Sequence, residues 1–430
     1  MESHPERLSR LLTALFGGYT GPGFSIRLWD GWQWNFGEGS GEWTLLLNSP
    51  KALEILARCV DEVALGEAFV NKEIDIEGDL ISAFSIADYL TKCPRGLLQS
   101  ASEFILAHVL SLKRWFEHGP RHSKRRDSAS IAYHYDVPVE FYRRWLGKTL
   151  AYSCAYFLSG EDALDQAQEQ KLDLICRKLR LRPREHFLDV GCGWGSLVLH
   201  AACRYHVKAH GITLSLEQAS VANQRIRSAG LTDLCTVEHR DYRNCQDFQA
   251  SFDKISSVGM CEHVGLPNLP LYFAAVHRFL KPGGTFLNHG IVRCATSSSS
   301  RRSFVDHYVF PDGRLVTLNE VIKAAEGACF EVRDVENLRE HYELTLRKWV
   351  DGLIRNKQAL LNMVPETTYR IWLLYTAGSA AAFRNGQIAV FQTVLSRLDN
   401  GRSRLPLVRD DWYVNQAEYQ FQEAELIGRG

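Results

Sequence analysis

No stretch of the sequence is apolar for long enough to cross a membrane. The one run near the N-terminus, Leu11–Phe16, is preceded by mixed charges and is too short for a signal-peptide core or a span. The expectation is a cytoplasmic protein whose membrane contact, if any, is peripheral. No cysteines stand at C-x-x-C spacing, and the 11 present are scattered and odd in number. That argues against a disulfide framework or a zinc ribbon, and it fits a reducing compartment in which thiols serve as small hydrophobes. No metal site is read from the sequence. Net charge is lacking as well: 50 basic residues balance 50 acidic ones, which excludes a chain-wide field for a polyanion but not a local patch. The dinucleotide fingerprint G-x-G-x-x-G is also missing. The remainder is ordinary globular material, 45% hydrophobic and 23% charged over 430 residues, enough for two domains.

What is present centres on His186-Phe-Leu-Asp-Val-Gly-Cys-Gly-Trp-Gly195. An apolar run, Phe187–Val190, ends on three glycines in G-x-G-x-G spacing, and Ser196–Ala202 then reads as a helix. A strand, a tight turn and a helix start bring backbone N–H groups close to a nucleotide. With Asp189 two positions before the first glycine, the loop suits a ligand carrying a ribose and a cation. S-adenosylmethionine meets that description; a glycine-rich turn with no ligand is the plainer alternative.

Residues 1–112 read as a small α+β domain. Leu8, Leu11, Leu12 and Leu15 have helical spacing, Phe24–Asp30 and Glu42–Leu47 are strand-like, and helices are predicted over Pro50–Leu65 and Asp79–Tyr89. Trp29, Trp32, Trp34 and Trp43 fit core positions better than a ligand box. Residues 113–128 form a basic linker, with six basic residues and one acidic residue in Lys113–Arg126. It is either a solvated connector or a contact for anionic lipid headgroups, with Trp115 and Phe116 at the interface. No nucleic-acid module accompanies it, so nucleic acid is not an expected partner.

From 129 to 430 the pattern is that of a catalytic domain. Tyr133–Asp136 and an aromatic helix over Pro138–Trp145 precede Tyr152–Phe157. Ser159 is placed to cap a helix over Glu161–Leu181, whose stripe is Leu164, Leu172, Ile175 and Leu179. Strands at Phe187–Val190, His206–Ile212, Cys235–His239, Phe252–Val258 and Thr285–Val292 alternate with helices. This predicts an α/β fold, a Rossmann-like doubly wound sheet with its ligand at the carboxyl ends of the strands. Thr296–Ser300 opens an insertion, and Leu405–Tyr413 reads as a last strand rejoining the sheet. Three loops follow strand ends: Gly191, Gly193 and Gly195; then Thr213, Ser215 and Gln218, able to bond a ribose or a methionine carboxylate; then Asp241, able to accept from an adenine amino group. Each of these could also be a cap or a surface residue.

The chain resembles the cyclopropane fatty acid synthases and their mycolic acid cyclopropane synthase relatives. The resemblance rests on His134-Tyr-Asp136, Tyr152-Ser-Cys-Ala-Tyr-Phe157, Leu188–Gly195, Thr213-Leu-Ser215, Glu262-His-Val-Gly265, His307–Pro311, His341–Leu346 and Ala380-Ala-Ala-Phe-Arg384. It implies a class I S-adenosylmethionine-dependent methyltransferase with a lipid-binding N-terminal domain. The implied substrate is a phospholipid acyl chain, reached peripherally at the inner face of the membrane by a homodimer. The implied reaction is attack of a cis alkene on the sulfonium methyl, giving a carbocation that loses a proton and closes a cyclopropane ring. Tyr133, Tyr135, Tyr156, Phe157, Phe310 and Tyr342 are candidate aromatic faces for the cation. The resemblance implies that Tyr152 and Ser153 fall at the cofactor. The implied base is bicarbonate, held by Cys154, Glu262, His289, Ile291 and Tyr342.

Plainer roles exist for these residues: Cys154 as a buried hydrophobe, Glu262 as a helix cap, His289 as a core histidine, and His263 as structural. A related enzyme leaving a methyl or methylene branch, or an inactive lipid-binding homologue, are the competing readings. One departure stands out. Many family members carry a cysteine in the small-residue run before Ala-Ala-Phe-Arg, where this chain has Ser379 with no base beside it, so no covalent role is expected there.

Overall fold

The computed structural model describes residues 4–39, 41–57, 62–92, 137–294, 303–310 and 315–413. The basic linker, Tyr133–Asp136 and Thr296–Ser300 lie outside the described residues. The chain forms two compact units, each assembled from several stretches. The first comprises 1–145, 296–312 and 343–387; the second comprises 146–295, 313–342 and 388–430. The division is therefore not a single cut at the basic linker.

The first unit is α+β. Strands β1 (Phe24–Leu28), β2 (Gln33–Phe36), β3 (Trp43–Leu47) and β4 (Ile74–Gly78) form a sheet in the order β2-β1-β3-β4, with only β1 and β3 parallel. β1 and β3 alternate buried and half-buried positions, the period-2 signature of a sheet with one covered face. Phe24 stacks on Trp43 at 4.8 Å in that core. Of the four tryptophans expected inside, Trp43 alone is buried. Trp29 and Trp32 are exposed in the turn between β1 and β2, and Trp34 is only half-buried because β2 is an edge strand with no fully buried position.

The helix Glu366–Arg384 packs on Glu62–Val70 and Leu80–Lys92 in this unit. Arg370 fixes it there. Its Nε donates to the Phe69 carbonyl at 2.8 Å, its terminal nitrogens reach Asp75 at 3.1 and 3.2 Å, and the guanidinium lies 4.0 Å from the Phe69 ring centroid. Ser379 lies on this helix.

The second unit holds a seven-stranded sheet in the order β10-β11-β9-β8-β5-β6-β7. Its strands are β5 (His186–Val190), β6 (Lys208–Thr213), β7 (Cys235–His239), β8 (Phe252–Val258), β9 (Leu280–Arg293), β10 (Phe330–Asn337) and β11 (Ile388–Arg397). β5 to β9 are parallel, and β11 runs antiparallel between β9 and β10. The order turns at β5: β6 and β7 extend one way, β8 and β9 the other, and the crevice above such a switch point is where doubly wound sheets bind ligands. β5 reads as a continuous apolar run because helices cover both of its faces.

Two sequence expectations fail here. The strand that closes the sheet is β11, not Leu405–Tyr413, which is irregular apart from one 3-10 turn at Asp410–Trp412. Leu407 and Val408 are exposed, and Pro406 offers no amide for a ladder, so that apolar run had no sheet to join. Nor does Ser159 cap a helix: the helix runs Leu164–Leu179 with Ala163 at its start, and the Ser159 hydroxyl accepts from Glu161 in the turn before it. The helix ends at Arg180 in the left-handed region, with the Leu181 amide bonded back to Cys176.

Candidate active site

The glycine loop is tied to β6. The Gly191 and Cys192 amides both donate to the Ile212 carbonyl, at 2.9 and 3.0 Å, which bends the chain out of β5. Gly191, Gly193 and Gly195 have φ of 81°, 54° and 78°, a region costly for other residues. The three glycines answer different demands. At Gly195 a Cβ would come within 3.0 Å of Ala222, so the helix Ser196–Tyr205 depends on close packing there. At Gly193 a Cβ would meet nothing within 4 Å, so that part of the loop stands open.

The other cofactor candidates sit where expected, but their side chains serve the protein's own bonding. Thr213 Oγ1 donates to Gln218 Oε1 at 2.7 Å, and Ser215 caps the helix Leu216–Ser228 by accepting from the Gln218 amide. Asp241 caps a short 3-10 turn and is paired with the Arg243 guanidinium through both oxygens. Asp189 is buried and accepts from Ser256 at 2.6 Å; burial pushes its carboxyl up to about 6.

The segment Tyr152–Phe157 is pinned by the helix Leu164–Leu179. Gln168 Nε2 donates to the Ser153 and Ala151 carbonyls at 2.9 and 3.3 Å, and Lys171 Nζ to Ser153 Oγ at 2.7 Å. Lys171 is buried, and loss of water pulls its ammonium down to about 8. Tyr156 stacks on His341 at 4.5 Å, and the Phe157 amide donates to His341 Nδ1 at 3.1 Å. Phe310 belongs to the first unit, where it meets Tyr375 edge-on. Tyr133 and Tyr135 are outside the described residues.

The proposed base residues gather at the C-terminal end of β9. β8 stops at Val258, opposite His289, so β9 continues without a paired strand on that side. The short helix Cys261–Val264 supplies the substitute: Glu262 Oε1 accepts the Ile291 amide at 2.7 Å. The Ile291 N–H is thus engaged by Glu262. Cys154 is fully buried, with its Sγ directed at the carbonyls of Ala155, at 3.2 Å, and Leu338, at 3.7 Å. The same Leu338 carbonyl accepts the Tyr342 amide at 3.0 Å, while the Leu338 amide donates to Val390, the residue paired with Ile291. One backbone carbonyl thus joins Cys154 and Tyr342 beside β11 and β9.

Two buried charged or titratable atoms at this end have no hydrogen-bond partner among the described residues: Glu262 Oε2 and His289 Nε2. Orphaned buried polar atoms are rare, and they mark either strain or a missing ligand. Burial lifts the Glu262 carboxyl to about 7 and, aided by the Lys171 and Lys178 charges, lowers His289 to about 3. A neutral imidazole and a carboxyl close to half-ionised at neutral pH can face a small oxyanion that bears one hydroxyl. The ring offers a donor, and the carboxylate accepts from the hydroxyl.

The family profile described as mycolic acid cyclopropane synthetase matches residues 122–393, which contain every one of these residues. This chain belongs to that family. A second profile, a domain of unknown function, matches 11–89. A protein of Pseudomonas putida named "Probable fatty acid methyltransferase" is 40% identical over 90% of this chain and 95% of its own length. The cyclopropane-fatty-acyl-phospholipid synthase of Escherichia coli K12 is 36% identical over 65% of this chain and 71% of its own. Among solved structures, a cyclopropane synthase from Mycobacterium tuberculosis is 30% identical with a TM-score of 0.59, covering 62% of this chain and 97% of that one. A mycolic acid cyclopropane synthase complexed with SAH and CTAB is 32% identical, with the same TM-score of 0.59 and the same coverage. The sheet is therefore that of a class I S-adenosylmethionine-dependent methyltransferase, and the protein is a methyltransferase of the synthetase family.

Gln168 and Lys171, which hold the Tyr152–Phe157 segment, escaped the sequence reading, and so did the buried chain of Glu336, Lys178 and Gln392 that ends on His289. A signal existed for the lysines. Lys171 and Lys178 fall on the same helical stripe as Leu172, Ile175 and Leu179, and a lysine on a buried stripe needs a partner. Glu336 and Gln392 lie on β10 and β11, the two strands that the reading missed.

Proposed function

We propose that the protein transfers the methyl carbon of S-adenosylmethionine to a cis double bond in a phospholipid acyl chain and closes a cyclopropane ring. Bicarbonate would serve as the base. The carrying observation is the pair of buried, unpartnered atoms, Glu262 Oε2 and His289 Nε2, at the end of β9. Further support comes from the names of the relatives, which act on fatty acyl or mycolic acid chains by those names.

When bound, S-adenosylmethionine supplies an electrophilic methyl on sulfur, and bicarbonate supplies a base with no side chain of its own. The protein's part is to hold both and to keep water out. The open side of the loop at Gly193 can receive the nucleoside. Glu262 and His289 would hold the anion, Glu262 by accepting its hydroxyl and His289 by donating from Nε2. Tyr156 and Phe157 supply aromatic faces beside the segment that carries Cys154. None of the described helices is long and apolar enough to cross a membrane, and the proposed lipid substrate is met at a membrane surface.

The test incubates the protein with vesicles of unsaturated phospholipid and S-adenosylmethionine, in buffer with and without bicarbonate. The recovered fatty acid methyl esters should gain one methylene, with proton resonances of a cyclopropane ring rather than an olefin, and the rate should fall without bicarbonate. A methyl-branched saturated chain, an olefinic methylene branch or no product would overturn ring closure. The branch outcome would favour the function in the name of the Pseudomonas putida relative.

A further inference from the structure

The pairing of β10, β11 and β9 sets three polar residues in one cross-strand row. Glu336 lies opposite Gln392, and Gln392 lies opposite His289. Residues paired across neighbouring strands project on the same face. Lys178, buried on the helix Leu164–Leu179, meets that row from above. Its ammonium is held by the Glu336 carboxylate and donates to Gln392 Oε1 at 2.7 Å. Gln392 Nε2 stands 3.2 Å from His289 Nδ1. Gln392 and His289 are almost completely buried, so no solvent offers either side chain another partner.

The donors and acceptors of this row leave one arrangement. An ammonium has three donors and no acceptor, so the oxygen of Gln392, not its nitrogen, must face Lys178. The amide nitrogen then faces Nδ1, and because it only donates, Nδ1 must be the bare, accepting nitrogen. A neutral imidazole carries a single proton, which is left on Nε2, the atom with no partner among the described residues. Burial and the positive charges of Lys171 and Lys178 keep the ring neutral, so its one proton has only these two positions.

We propose that Lys178 and Gln392 are positioning residues that fix the tautomer of His289, holding Nε2–H as a ready donor toward the oxyanion. The charge on Lys178, secured by Glu336, is read through one amide and becomes the direction of a hydrogen bond at the base site. A carboxylate in place of Gln392 would reverse it, drawing the proton to Nδ1 and leaving Nε2 as an acceptor that repels an anion. The use made of that donor rests on the bicarbonate reading given above; the tautomer itself does not.

The experiment is long-range proton–nitrogen correlation on the full-length protein labelled with nitrogen-15 histidine, with His289→Asn to assign the ring. The wild type should show a protonated Nε2 and a bare Nδ1. Gln392→Glu should move the proton to Nδ1, and Lys178→Met should mix the two forms. Both variants should lower kcat in the vesicle assay by roughly 10- to 100-fold, as outer partners of catalytic groups do, with affinity for S-adenosylmethionine within about twofold of wild type. A wild-type ring protonated on Nδ1 overturns the proposal, and so do variants that lose kcat without moving the proton. If vesicles yield no cyclopropane while the ring shows the expected tautomer and its reversal in Gln392→Glu, the functional reading fails and the relay stands. Ring product from an enzyme whose His289 carries Nδ1–H does the reverse, sparing the function and removing the relay.

Discussion

Glu262 Oε1 accepts the Ile291 amide at 2.7 Å, so a carboxylate occupies the place that strand β8 would have filled had it been longer. One oxygen is thereby fixed by the sheet and the other is left without a partner among the described residues. Glu262→Gln keeps the shape and removes the charge. Turnover on vesicles should fall by about 100-fold or more, the usual size for a positioned proton acceptor, while calorimetry shows S-adenosylmethionine binding unchanged. Weakened cofactor binding would place Glu262 in a different site.

The same residue should make stability depend on pH. Its folded pKa, about 7, lies above the ordinary 4.5, so the native state keeps a proton that the unfolded chain has released. The resulting stabilisation is full below about 4.5 and is lost as pH rises through about 7. Denaturant titrations should therefore show wild type losing stability against Glu262→Gln between those limits, by roughly 1–3 kcal/mol. Activity that needs the ionised carboxylate should rise over the same interval, giving a pH–rate profile with an acid limb near 7.

Two glycine substitutions should separate folding from binding. Gly195→Ala meets Ala222 at 3.0 Å at a φ of 78° and should lower Tm. A loss of about 2 kcal/mol is expected from strain plus crowding. Gly193→Ala meets no protein atom within 4 Å, so it should cost about 1 kcal/mol of stability and more in cofactor affinity. Equal effects of the two on affinity would remove the assignment of Gly193 to the ligand side.

Gln168→Leu withdraws the donor shared by the carbonyls of Ala151 and Ser153. The expected loss is about 1–3 kcal/mol for buried acceptors left unmade, with weaker cofactor binding because Tyr152 and Ser153 lose their anchor. Thermal melts with and without S-adenosylmethionine measure both. An undiminished ligand-induced rise in Tm would show that this segment does not touch the cofactor.

Arg125→Glu with Arg126→Glu should reduce activity on anionic vesicles more than on neutral ones, and added salt should narrow the difference. Equal losses on both lipids would remove the electrostatic reading of the linker.

The sequence carried the parallel part of the sheet, because β5, β6 and β8 are runs of mostly buried residues and each is followed by a helix of clear period before the next strand. It did not carry β10 and β11. Glu331, Arg333, Asp334 and Glu336 make β10 look like a solvated segment, since it is an edge strand with half its surface open. Leu405–Val408, by contrast, has the apolar composition of a strand and no place in the sheet. At the candidate site, Glu262, His289 and Tyr342 are singled out by motif resemblance alone. The local bonding of Thr213, Ser215, Gln218 and Asp241 was not, because side-chain partners two to five residues away leave no periodic trace. Lys178 and Gln392 are 214 residues apart, and only the closed sheet brings them together.

The chain visits the first unit three times, at 1–145, 296–312 and 343–387. This sets limits on recombination. A single crossover between two relatives, placed anywhere between 146 and 365, would seat the helix Glu366–Arg384 of one parent against Leu80–Lys92 of the other. Arg370 from one parent would then have to find Asp75 and the Phe69 carbonyl in the other. Viable chimaeras should inherit those segments together, so the N-terminal stretch and the late helix are best exchanged jointly, with three junctions.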